Sequence, residues 1–152
     1  MGAKWKDLTE GAELLGPRRT LTMNRINWYA EGFWTICADE RRGVMANIHT
    51  DVEFAKSEGL ETAIGDGMTA TNWVSEMVLD YFGEHYLRGP HSLRTKFIKP
   101  TPLDAFVSVG GKVTGIEETE SGRVYKMDIW TKDGEGTMLT VGDARVTVPS
   151  GA

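Results

Sequence analysis

His49 and the neighbouring pair Asp66-Gly67 are the residues whose types and placement could carry chemistry. Histidine exchanges its proton more readily near neutral pH than any other side chain, so His49 could serve as a general base or orient a water. Asp66 stands where a helix should begin, and its carboxylate could cap the first turn or exchange a proton. A helix N-terminus offers unpaired N–H groups and the positive end of the helix dipole, which together steady a developing negative charge. A glycine there, here Gly67, leaves the backbone open to close approach. His85 and His91 flank Arg88-Gly89-Pro90 and read as surface residues. The three histidines show no metal-ligand spacing with Cys37 or with one another, so no metal is expected. Cys37 has no paired base in view and does not read as a nucleophile.

The element that must position these groups is the stretch Asp66–Gly83. Ala70, Trp73, Val74, Met77, Val78 and Tyr81 recur at helical steps, and Asn72, Glu76 and Asp80 fall on the flanks. Asp66 suits the cap and Gly83 the stop, which predicts a helix over Met68–Phe82 spanning roughly 22 Å. Upstream, Thr50-Asp51-Val52-Glu53 fits a capping box with Thr50 as cap, directly after His49. Gly16-Pro17 closes an irregular lead-in, Arg18–Met23 alternates as a first strand, and Thr22 or Asn24 could cap a short helix through Ile26, Trp28 and Tyr29 that Gly32 would weaken. Downstream the chain reads as strands over Ser92–Lys99, Ala105–Gly115, Arg123–Thr131 and Thr137–Val148. The turn sequences Glu117–Gly122 and Lys132–Gly136 join neighbours as antiparallel hairpins. Such a sheet needs a cover for its apolar face, and the Asp66–Gly83 helix suits it. The expected class is α+β, an antiparallel sheet wrapped on one long helix.

The 152 residues are expected to form a single domain, 1–152, with 40% apolar and 26% charged residues as in a soluble globular protein. A net charge of −5 argues against nucleic-acid binding as the main activity. One cysteine rules out an internal disulfide and fits a reducing compartment. The first residues carry no apolar run, so neither a signal peptide nor a membrane span is expected, and a cytoplasmic location follows.

Three stretches together resemble the MaoC-like acyl dehydratases, the (R)-specific enoyl-CoA hydratase family, which has the hot-dog fold. Asn47-Ile48-His49-Thr50-Asp51-Val52-Glu53-Phe54-Ala55-Lys56 is similar to the family's hydratase segment. Ile64-Gly65-Asp66-Gly67-Met68-Thr69 is similar to the entry to its central helix, and Leu93–Pro100 to the strand and proline that follow. The resemblance spans roughly Thr20 to Val148. It implies hydration of a 2-enoyl thioester or the reverse dehydration, with coenzyme A (as part of the substrate) or acyl carrier protein as carrier, no separate cofactor, and a homodimer or higher homo-oligomer. On that resemblance His49 would be the base or water orienter and the Gly67 N–H the oxyanion donor, with Asp66 a candidate for the second acid/base. Asn47, Arg94 and Lys96 would then contact substrate, Asn72 would contact it or stand exposed, and Trp73 would pack in the core or form a wall of the acyl pocket.

The sequence departs from the family pattern at one decisive place. The usual Asp five residues before the histidine is Val44, within a stretch, Phe33–Ala46, that reads as an insertion. Asp66, Asp39 or Glu40 could supply the missing carboxylate. A hot-dog thioesterase using Asp66, or a non-catalytic acyl-thioester-binding protein, stand as alternatives. Arg88, Arg94, Lys96, Lys99 and Lys112 could meet the phosphates of coenzyme A or be ordinary surface charge.

Overall fold

The apolar stripe of the central stretch becomes α3, Gly67–Phe82, the longest helix among the described residues. The structure, a computed structural model, describes residues 4–34 and 47–151. Asp39, Glu40, Val44 and Cys37, and with them most of the expected insertion, lie outside those residues. Asp66 takes an extended conformation and its Oδ1 accepts from the Met68 N–H at 2.8 Å, while Gly83 ends the helix with φ +56°. Ala70, Trp73, Val74, Met77, Val78 and Phe82 are buried. Tyr81 stays half-buried, and its hydroxyl accepts from the Leu15 N–H at 3.1 Å.

That stripe packs on a five-stranded antiparallel sheet of β1 (Glu13–Thr20), β2 (His91–Phe97), β3 (Phe106–Thr119), β4 (Gly122–Lys132) and β5 (Met138–Val148), in the order β1-β3-β4-β5-β2. Val107, Val109 and Val113 of β3 and Tyr125, Met127 and Ile129 of β4 share one buried cluster with the helix, as alternation along the strands requires. β3, β4 and β5 form a meander through short turns. In the second of these, Asp133 Oδ1 accepts from the Glu135 and Thr137 N–H groups at 2.9 and 2.8 Å. These bonds favour the carboxylate and lower the Asp133 pKa.

Several boundaries differ from the sequence expectation. The first strand starts at Glu13 and ends at Thr20, so Gly16-Pro17 lies inside it rather than before it. A proline is tolerated because β1 is an edge strand, and the register against β3 shifts between Leu15 and Arg18. The helix after it, α1, runs Met23–Trp34, and Gly32 does not end it. α2 (Val52–Ser57) is capped by Asp51, not Thr50: Asp51 is extended and its Oδ1 accepts from the Phe54 N–H at 3.0 Å. Glu53 turns to Lys56 at 3.0 Å instead of back to the cap. A short helix, α4 (Glu84–Arg88), follows α3 and buries Tyr86.

Candidate active site at the head of the central helix

The site is built from three backbone segments tied together before α3. Asn47 Oδ1 accepts from the His49 and Thr50 N–H groups at 2.8 and 3.0 Å, and the Asn47 carbonyl accepts from the Asp51 N–H at 3.1 Å. This turn holds Thr50 out of the cap position and fixes the His49 backbone. Ile64 then clamps the turn: its N–H donates to the Ile48 carbonyl at 3.1 Å, and its own carbonyl lies 2.9 Å from His49 Nδ1. From the other side Gly65 N–H donates to Thr101 at 2.8 Å and Leu103 N–H to Ala63 at 2.8 Å. The strand-like segment before α3 is therefore held on both flanks.

The Ile64 contact decides the histidine tautomer. A carbonyl oxygen can only accept, so the proton sits on Nδ1 and, in the neutral ring, Nε2 carries a free lone pair. His49, Gly67, Ala70, Phe97, Ile98 and Thr140 line one cavity of about 270 Å³. Among the described residues no acceptor meets the Gly67 N–H, because the first helical N–H has no intrahelical partner and Asp66 spends its side chain on Met68 and its carbonyl on Thr69. The cleft thus brings together a base and an unpaired N–H at a helix start.

The other residues singled out from sequence fall elsewhere. Asp66 adjoins Gly67 but caps the helix and is not part of the cavity lining. Asn47 shapes the histidine turn. Trp73 is buried in the core. Asn72, exposed on α3, hydrogen-bonds Tyr29 of α1. Burial, and then the nearby Asp66 carboxylate, raise the Tyr29 hydroxyl above the ordinary phenol value, so it stays protonated near neutral pH. Arg94 is exposed and paired with Asp143 of β5 at 2.8 Å, and Lys96 is exposed on β2. Of the five basic residues, Arg88 pairs with Glu84 at 3.2 Å, Lys112 lies opposite Glu13 at the far edge of the sheet, and Lys99 reaches the cavity. Sequence reasoning missed the Ile64 carbonyl, Tyr29 and Phe97. Only Phe97 left a trace, as one of two apolar residues, Phe97-Ile98, that break the alternation before Lys99-Pro100. No group of metal-binding side chains occurs among the described residues, and no helix there is long and apolar enough to cross a membrane.

This combination of sheet, wrapped helix and cleft is the hot-dog fold. The chain superposes on the MaoC-like dehydratase from Rhodospirillum rubrum with a TM-score of 0.73 at 16% identity, covering 97% of each chain. It superposes on the (R)-hydratase PhaJ1 from Pseudomonas aeruginosa with a TM-score of 0.71 at 16% identity, covering 97% of this chain and 86% of that one. A third similar structure is the HadBC (3R-hydroxyacyl-ACP dehydratase) complex from Mycobacterium tuberculosis, TM-score 0.69 at 12% identity, covering 94% of this chain and 99% of that one. A scan against family models and a search of curated proteins both find no match for the sequence.

Proposed function

We propose that the chain is a MaoC-like hydratase/dehydratase that adds water to a 2-enoyl thioester, or removes it from a 3-hydroxyacyl thioester, carried by coenzyme A. The observation that carries this reading is the shared cleft, lined both by His49, whose Nε2 has no hydrogen-bond partner among the described residues, and by Gly67, whose helix-start N–H has none there either. Similarity of fold to (R)-hydratases and MaoC-like dehydratases supports it.

The chemistry closes without a second carboxylate. With the thioester carbonyl on the Gly67 N–H, His49 Nε2 takes a proton from water as the water oxygen bonds to Cβ of the enoyl group. The π electrons move onto the carbonyl oxygen, and the enolate is held by the N–H and the helix dipole. The imidazolium then returns its proton to Cα, and the carbonyl re-forms. Substrate, water and product balance, and Val44 in place of an acid leaves every step available. Asp66 holds the first turn, so the donor keeps its direction. Lys99, at the cavity, suits the carrier's phosphates.

β2 ends the sheet with its outer edge unpaired among the described residues, and a second copy adding its β2 there would give a homodimer. Sedimentation should then report twice the 16.8 kDa chain mass, and a monomer at micromolar concentration would end that part of the reading. The single cysteine fits the reducing cytoplasm. The test of the function is a panel of enoyl-CoA and saturated acyl-CoA thioesters followed by mass spectrometry. Gain of one water on the enoyl substrates alone is the expected result. Release of free coenzyme A from both types would replace the reading with a thioesterase, and no turnover on any would leave a binding role.

A further inference from the structure

The Phe97 ring occupies the space that a side chain at residue 67 would fill. A Cβ built on Gly67 would lie 2.6, 2.7 and 2.8 Å from Cε2, Cδ2 and Cζ of that ring. The glycine at the head of α3 therefore admits an aromatic ring from β2, where the sequence left room for a ligand. The Phe97 backbone is fixed: it pairs with Thr140 of β5, and the next two N–H groups, of Ile98 and Lys99, both donate to the Leu139 carbonyl at 2.9 and 3.1 Å. Its side chain is not fixed in a core, being 47% exposed. A half-exposed ring against Gly67, in the same cavity as His49, is placed to meet an acyl chain rather than to stabilise the sheet. The cavity it closes, about 270 Å³, lies just below the roughly 300–1,000 Å³ typical of small-molecule sites.

We propose that Phe97 determines which acyl groups the cleft accepts, its ring closing the space beside Gly67 so that short acyl thioesters fit and longer ones do not. The inference rests on the thioester reading above. Removing the ring opens the cleft along the Gly67 face towards Ile98, where a longer chain would find apolar wall. One methylene gained or lost in an apolar pocket changes discrimination by about 10–200-fold, so loss of a phenyl ring should shift preference by at least about tenfold.

The experiment measures dissociation constants of butyryl-CoA and octanoyl-CoA by titration calorimetry for the wild type, Phe97→Ala and Phe97→Leu. Saturated chains have no double bond to hydrate, and the ratio of the two constants cancels what coenzyme A contributes. The wild type should favour butyryl-CoA, Phe97→Ala should move the ratio towards octanoyl-CoA by about tenfold or more, and Phe97→Leu should fall between. Equal ratios in the three proteins, or a wild type that already prefers the longer chain, overturn the proposal. Should the alanine variant fail to fold, the leucine variant still decides, because it shortens the ring's reach while keeping an apolar side chain. Hydration of crotonyl-CoA with unchanged ratios sinks this inference alone, whereas failure of the wild type to bind either thioester sinks it together with the thioester reading.

Discussion

His49→Ala is expected to lower kcat for hydration of crotonyl-CoA by about 10³-fold, within the roughly 10²–10⁴-fold that a positioned general base contributes. The melting temperature should change little, because the ring is half-buried and gives the fold one hydrogen bond, to the Ile64 carbonyl, which water can replace. Two further variants locate the loss. His49→Gln can still donate to Ile64 but has no free basic nitrogen, so it should be as slow as the alanine variant. Asp66→Asn keeps an oxygen that can cap Met68 and removes only the charge, so it should stay within a few-fold of wild type. A His49→Gln enzyme of near-normal rate would show that the histidine positions rather than takes a proton. An Asp66→Asn enzyme as slow as His49→Ala would move the second proton transfer to that carboxylate.

The sequence signals that succeeded are those in which neighbouring residues settle the structure among themselves. α3 was legible because Ala70, Trp73, Val74, Met77 and Val78 make a single stripe between an aspartate cap and a glycine stop. β3, β4 and β5 were legible because Val107, Val109 and Val113, then Tyr125, Met127 and Ile129, alternate between clear turn sequences. What stayed hidden depends on partners distant in the chain. Gly16-Pro17 looks like a break until β1 is known to be an edge strand paired with β3. Thr50 looks like a cap until Asn47 Oδ1 is seen to take its N–H. The site shows the same division. His49, Asp66 and Gly67 stand out by type, whereas the Ile64 carbonyl that sets the tautomer is a backbone atom with no sequence signature. The Phe97 ring meets Gly67 only because β5 carries β2 alongside the helix head.

The second large effect separates the fold from the site. Phe82, in the last turn of α3, is 1% exposed and meets Tyr125 of β4 edge to face, with ring centroids 5.2 Å apart. Aromatic truncation at such a position costs about 3–5 kcal/mol through lost burial and the cavity left behind. For a chain of 152 residues that corresponds to a fall in melting temperature of about 10 °C, measurable by calorimetry. Phe82→Leu, which refills part of the space, should lose clearly less. Gly67 stands at the other end of the helix, roughly 22 Å away at 1.5 Å per residue, so the clamp of Ile64 on the His49 turn is untouched. Well below the new melting point, Phe82→Ala should therefore hydrate crotonyl-CoA with kcat near wild type, the reverse of the His49→Ala pattern. A variant that keeps its melting temperature would mean that Phe82 does not anchor α3 to the sheet. One that melts early and also loses its rate in the cold would mean that the helix transmits packing at its tail to the donor at its head.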